Sequence, residues 1–272
     1  MAGRPRKEFQ EYLTESTSSH VSHADYLESP ASAFLKHSVE AKSAIDLCIR
    51  HFPKNQNETY KKDAIDSLQH LVVAVLPTVM GHFETYQRYL FAGTFDLSVF
   101  LANFDVDDFF KKLSKETNIQ IDWPRLAAHR ASGASSVGTL LSDSMSGWHD
   151  PERVNKYFGC FGLPYQLFTN DDKERLLTLW QLRHSIVHTG GTLTLADAQK
   201  VASLNTFGGR NISFENNFIF EVSRKLHPLV QASTNGFGSA FIGRLIGSTT
   251  EEDRQKIDKF FEVKSSVAVW LN

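Results

Sequence analysis

The chain has 272 residues, 41% of them hydrophobic, and a formal net charge of −2 at pH 7. Its hydrophobic fraction and its 21 Phe are typical of a globular protein with a large core and exclude an intrinsically disordered chain. The near-neutral charge provides no overall positive field, which argues against a non-specific nucleic-acid binder. It is compatible with a ribonuclease whose positive charge lies in one cleft.

The sequence indicates a soluble, cytoplasmic protein. Cys48 and Cys160 are far apart and lack metal-ligand spacing, which favours a reducing compartment. The first 23 residues are polar and lack the apolar centre of a secretory signal. The most apolar run, 71–81, contains Pro77 and is too short to cross a bilayer, so we expect no membrane segment. The basic start at 4–7 is interpreted as a solvated tail.

The pattern predicts an all-α helical bundle. Residues 1–24 form a flexible arm in this interpretation, and residues 25–232 form the helical domain. Ser29-Pro30 is typical of a helix start, and apolar positions then recur at helical spacing as far as Phe52. A second, long helix is predicted over 58–91, kinked at Pro77, so that the two form an antiparallel pair.

The rest of the chain is predicted as shorter elements. A small β-hairpin or extended lid is expected near 208–214, and the segment Asn235-Gly236-Phe237-Gly238 is interpreted as a linker. Residues 233–272 are expected to form a C-terminal helical extension that packs on the same domain. The remaining helices are predicted at 97–103, 106–117, 124–144, 151–160, 195–204, 215–234 and 251–261.

The most informative stretch is a predicted helix over 170–189. Asn170 or Asp171 is expected to cap its start, and the helix is expected to stop at Gly190-Gly191, where a left-handed residue costs least. Its last two turns carry Arg183, His184 and His188. A strong cation and two imidazoles this close together favour phosphate chemistry.

At about 100° per residue, the apolar positions of this helix cover roughly 220° of its circumference. Arg183 falls inside that arc, while His184 and His188 stack one turn apart at its edge. Because packing on one core needs a narrower stripe, the arc predicts a homodimer with Leu182 and Ile186 in the interface.

The order Arg183, four residues, His188, with a polar His184 directly after the arginine, resembles the R-x4–6-H signature of the HEPN superfamily (higher eukaryote and prokaryote nucleotide-binding domains). This resemblance implies a small all-helical domain and a metal-independent endoribonuclease of a bacterial toxin or anti-phage defence system. It also implies a homodimer with a composite site, no cofactor, and an antitoxin or other defence protein as a further partner.

The residue chemistry suits RNA cleavage by 2′-OH attack. Histidine can take or give a proton near neutrality, and arginine holds phosphate oxygens with two parallel N–H donors. Arg183, His188 and His184 are therefore the candidate catalytic residues. Glu84, on the second helix, is a candidate supporting acid, since the family often has an acidic residue on a neighbouring helix; an exposed glutamate without a role is the competing interpretation.

Three alternatives stay open from the sequence. A catalytically inactive HEPN-type module would bind nucleotide or protein through the same cleft. A purely structural helical subunit would use Arg183 in an ion pair and His188 only to stabilise the helix end. A zinc site would use the i, i+4 pair His184 and His188, but no third ligand is evident.

Overall fold

The computed structural model describes residues 8–13, 20–119 and 136–265 of the chain. The predicted all-α fold is confirmed, with one two-stranded antiparallel sheet, β1 (Thr192–Leu193) and β2 (Arg210–Asn211). Single 3-10 turns occupy Phe9–Tyr12, Ser98–Phe100 and Ala202–Phe207. The α-helices are α1 (His23–Glu28), α2 (Pro30–His51), α3 (Lys62–Leu97), α4 (Val106–Glu116), α5 (Val137–Asp143), α6 (Pro151–Gly159), α7 (Asn170–His188), α8 (Leu195–Ala198), α9 (Phe218–Ile242) and α10 (Glu251–Phe260).

The predicted antiparallel pair is α2 with α3. Pro30 occupies the first turn of α2, as its missing N–H allows. Near the turn, the Tyr60 hydroxyl donates to the Ile49 carbonyl at 2.7 Å. At the other end, the Phe34 ring packs 5.3 Å from the Phe83 ring. The two helices therefore run in opposite directions, and α3 continues past the expected end at residue 91 to Leu97.

The apolar stretch of helix α3 is longer than the predicted run 71–81. The stretch Lys62–Phe100 contains a window with a mean hydropathy of 1.4, enough by length and composition for a membrane span. Core helices of soluble proteins meet the same test, and α3 packs against α2, α5 and α7. Its fully buried side chains include Leu68, Val72, Leu76, Phe83 and Leu90.

The expected linker at 235–238 is wrong, because these residues lie inside α9. A Cβ on Gly236 would come within 2.2 Å of the Tyr165 ring, and one on Gly238 within 2.9 Å of Phe261. The glycines thus permit close packing instead of ending the helix. Helix α9 also crosses the expected boundary between 232 and 233. Phe237, Phe241 and Phe260 belong to the same core cluster as α2 and α3.

The small antiparallel sheet expected near 208–214 is present: its strand β2 lies in that segment, and its partner is the upstream strand β1. Thr192 pairs with Asn211 and Leu193 with Arg210, in antiparallel register. The predicted helix 195–204 is split into α8 and the 3-10 turn Ala202–Phe207. Leu193 of β1 and the loop residues Ala198, Val201 and Leu204 form a small core of their own, which favours this longer closed loop over a two-residue turn.

Three further helix predictions changed in extent. The segment 97–103 forms only the 3-10 turn Ser98–Phe100. Most of the helix expected over 124–144 falls outside the described residues, and its described part is α5. The basic start at 4–7 also lies outside them.

Candidate functional site

Helix α7, which carries the candidate residues, begins at Asn170, the predicted first residue, but its N-cap lies earlier than predicted. Thr169 has an extended backbone and is the N-cap, in place of the predicted Asn170 or Asp171. Its hydroxyl accepts from the Asp172 N–H at 3.2 Å, and the Asp172 carboxylate accepts from the Thr169 N–H at 3.1 Å. This reciprocal capping box needs an acidic side chain three residues after the cap, and Thr169-x-x-Asp172 provides it.

The predicted stop at the double glycine is confirmed. Gly190 and Gly191 have φ values of 63° and 79°, in the left-handed region. The Ser185 carbonyl accepts from the Gly191 N–H at 3.1 Å and from the Thr189 hydroxyl at 2.8 Å. These bonds fold the chain back along α7 into β1, so that the end of the helix is firmly fixed.

His184 and His188 face solvent side by side, as their spacing predicted. Their ring centroids are 4.8 Å apart and both side chains are exposed. The pair therefore offers two imidazoles, one turn apart, to a ligand arriving from outside. Neither ring is hydrogen-bonded to Arg183. The imidazole pair and the guanidinium are therefore not linked to each other on the last two turns of the helix.

Arg183 is half-buried, and its Nε atom is buried without a hydrogen-bond partner. No acidic side chain among the described residues lies within 4 Å of its guanidinium. A desolvated donor without a partner is unfavourable unless a ligand or water completes it. The arrangement leaves a positive charge available to an anion.

Behind this surface, α7 is anchored on the core. Trp180 is 6% exposed, and its ring packs 6.5 Å from Phe83 of α3 and 6.4 Å from His149. Ser185 is fully buried and accepts a hydrogen bond from the Gln181 amide at 3.3 Å. The candidate side chains are therefore carried by a helix with one fixed orientation.

The chain itself covers most of the wide apolar arc. Leu182 packs on the small core beside β1, and both Leu182 and Ile186 pack against the main core, each partly buried. The exposed apolar residues of α7 are Leu177 and Val187, at 41% and 48% exposure. Leu182 and Ile186, which the sequence placed in the dimer interface, are therefore already partly buried by their own chain. Val187 is exposed and lies beside the two exposed histidines.

Glu84 is paired with a residue that the sequence analysis did not single out. Its carboxylate lies 3.9 Å from the Arg88 guanidinium, which also contacts the Asp143 carboxylate of α5. The three side chains join α3 to α5. This ion-pair network gives Glu84 a structural partner, and its role as a supporting acid stays a prediction.

Asp197 is a buried carboxylate near the motif that sequence reasoning missed. It accepts from the Lys200 ammonium at 2.7 Å, and this bond, with a further one to Thr194 and a smaller electrostatic effect of His184, holds the pKa of Asp197 below its usual range. The one available signal was the capping pattern Thr194-x-x-Asp197. Asp197 places a negative charge on the His184 side of α7.

In the three described segments, no group of three or more His, Cys, Asp or Glu side chains is arranged to hold a metal ion. Comparison with models of protein families, with curated proteins and with solved structures gives no match. The geometry of α7 and the residues around it therefore carries the functional interpretation.

Proposed function

We propose that the protein is a metal-independent endoribonuclease of the HEPN type, acting in the bacterial cytoplasm as a toxin or anti-phage effector. The observation that carries this proposal is the end of α7, where two exposed imidazoles stand beside an arginine without an acidic partner among the described residues. Proton carriers next to an available guanidinium are the groups that phosphodiester cleavage requires.

In the proposed reaction, one imidazole removes the proton from the 2′-OH of RNA. The 2′-oxygen attacks the adjacent phosphorus, and the bond to the 5′-oxygen breaks. A protonated imidazole donates to that leaving oxygen, giving a 2′,3′-cyclic phosphate and a 5′-OH. Arg183 binds the non-bridging oxygens, whose negative charge grows in the transition state. His188 and His184 are the candidates for the two proton roles.

A homodimer fits this chemistry and is part of the proposal. In a two-fold dimer around α7, each chain contributes one arginine and one imidazole pair to a shared cleft. The exposed Val187, in the same turn as His188, is the apolar contact available for such an interface. An antitoxin or another defence protein is the further partner that the HEPN resemblance implies.

His188→Ala tests the proposal directly. We expect wild-type protein to cleave RNA in the presence of EDTA and the variant to lose this activity, because the imidazole is removed from an exposed position. Since His188 has no structural hydrogen bond or ion pair in the described part of the chain, the variant should unfold at an unchanged temperature. Wild-type cleavage by the variant would contradict the catalytic role of His188.

The alternative function is a catalytically inactive HEPN-type binding module. It is favoured by the lack of a hydrogen bond between Arg183 and either histidine among the described residues of this single chain. The two functions differ in one readout, since the inactive module binds RNA or nucleotide without forming a 2′,3′-cyclic phosphate end. Analysis of the RNA ends after incubation with the purified protein separates them.

A further inference from the structure

Two cavities lie along one side of α7 and share the residues Asn211, Ile212 and Ser213 as a common wall. One has a volume of about 430 Å³ and includes Leu182 of α7; the other has a volume of about 550 Å³ and includes Ile186. Volumes of this size suit a small organic group. We call the two cavities together the α7 groove.

The first cavity is aromatic and carries one cation. The Arg210 guanidinium lies over the Phe207 ring, 5.3 Å from its centroid, and Phe207 is 47% exposed. Phe214 lines the same cavity. Within the described residues, Arg210 makes no ion pair with an acidic side chain. An exposed aromatic ring beside a guanidinium that has no acidic partner is typical of sites where nucleobases stack.

The second cavity is more polar and lies at the end of α7. Gln69 and His70 of α3 face the backbone of Gly190 and Gly191 across it. The Ile212 N–H donates to the Gly191 carbonyl at 2.7 Å, which fixes the shared wall against the end of the helix. Side-chain amides, hydroxyls and imidazoles in this cavity suit the sugar and phosphate of a nucleotide.

The groove also lies next to the candidate site. Leu182 and Ile186 lie next to Arg183 on α7, both on the side that faces away from His184 and His188. A strand of nucleic acid whose phosphate is held by Arg183 could therefore continue into the groove. A peptide would make less use of the stacked arginine and aromatic ring, so we favour nucleic acid as the occupant.

We infer that the α7 groove binds single-stranded RNA, with a base stacked on the exposed surface of Phe207 beside Arg210 and its sugar-phosphate in the polar cavity. The choice of RNA as the ligand rests on the proposed function. The inference adds that residues outside the segment Arg183–His188 bind this RNA.

The test measures the fluorescence anisotropy of a short, labelled 2′-O-methyl RNA strand titrated with wild-type protein in low salt. This probe lacks the attacking hydroxyl, so binding is measured without cleavage. We expect Phe207→Ala and Arg210→Gln each to weaken binding about tenfold or more, the effect of losing one stacked base. Phe207→Tyr, which keeps the ring, should retain affinity, and thermal unfolding checks that each variant is folded.

Lys54→Gln is the matched control, because Lys54 lies over the Tyr60 ring at 5.4 Å on the turn between α2 and α3. It should leave binding unchanged. Absence of binding by the wild type, or binding that neither groove variant weakens, would overturn the inference. Groove-dependent binding together with no cleavage of ordinary RNA would support the groove and reject the nuclease in favour of the binding module.

Discussion

Arg183 combines a buried Nε atom with a guanidinium that reaches the surface of α7. Because Nε is buried, the direction of the side chain is restricted before any ligand binds. Restricting a long side chain in advance reduces the entropy lost on binding a phosphate. The position therefore suits a planar guanidinium better than a flexible ammonium group.

We expect Arg183→Lys to reduce RNA cleavage about a hundredfold, since lysine keeps the charge but loses the two parallel donors. The cleavage rate is measured at saturating RNA. Arg175→Lys is the control: Arg175 is an exposed arginine of the same helix, 3.9 Å from Asp172, and its replacement should have no effect. Full activity of Arg183→Lys would show that only a point charge is needed.

His37 is a residue whose titration should be visible in stability. It stacks on His82 with ring centroids 3.4 Å apart, next to Tyr26, whose hydroxyl is hydrogen-bonded to His82 at 2.8 Å. Burial, then the nearby His82 and His20, lowers the pKa of His37 to about 4. Burial also lowers the pKa of His82, while Glu40 opposes that change.

Because the unfolded chain binds a proton at His37 below about pH 6.5 and the folded chain does not, the free energy of unfolding should fall as the pH is lowered from 6.5 toward 4. Urea unfolding at several pH values measures the decrease. His37→Phe keeps an aromatic ring on His82 and should make the decrease smaller. A free energy of unfolding that is constant over this range would contradict the prediction.

At the scale of the element, α7 was predictable because its signals are local. The double glycine and the i, i+4 histidines depend only on nearby residues, and both were located correctly. The N-cap was misplaced by one residue because Thr169, Asn170 and Asp171 are all good caps, and the choice depends on which one has extended backbone. The partner strand of β2 was missed because it lies 17 residues upstream, beyond any local turn signal.

Gly190→Ala should destabilise the protein by about 1–2 kcal/mol, the cost of a left-handed conformation for a residue with a Cβ. Its φ is 63°, and a Cβ there would meet nothing within 4 Å, so no steric contact contributes. Urea denaturation gives the free energy. Gly81→Ala, also without contacts but inside α3, should instead stabilise by up to about 1 kcal/mol. Equal effects of the two substitutions would show that the backbone conformation is not responsible.

For the whole molecule, the apolar spacing predicted the all-α class, but it did not predict that one continuous helix, α9, runs through residues 235–238. The glycines of α9 suggested a linker, and only the tertiary contacts with Tyr165 and Phe261 show that they allow close packing. The same limit applies to the site. An apolar arc on one helix does not reveal whether its own chain or a second copy covers it, and here the small core beside β1 covers Leu182.

The proposed homodimer is tested by Val187→Glu. We expect wild-type protein to have the mass of a dimer by light scattering at micromolar concentration and the variant to be monomeric, because an unpaired carboxylate in the interface opposes association. Val99→Glu, at a position 71% exposed and outside α7, is the control. The mass is measured and not the RNA cleavage rate, because a substitution at Val187 could disturb the neighbouring His188 directly. A wild-type monomer that still cleaves RNA would refute the shared cleft.

The pairing of β1 with β2 closes the loop between them, and this affects which substitutions the protein can accept during evolution. The three candidate catalytic residues and the whole aromatic cavity of the groove come from one stretch of about fifty consecutive positions, 170–218, and the strand pair links the middle of that stretch to its end, while α3 contributes the far side of the polar cavity. Variation confined to the segment 203–214 would alter the groove while the capped helix and the large core stay intact. If the groove binds RNA as proposed, its preference for one RNA sequence over another is open to selection independently of folding.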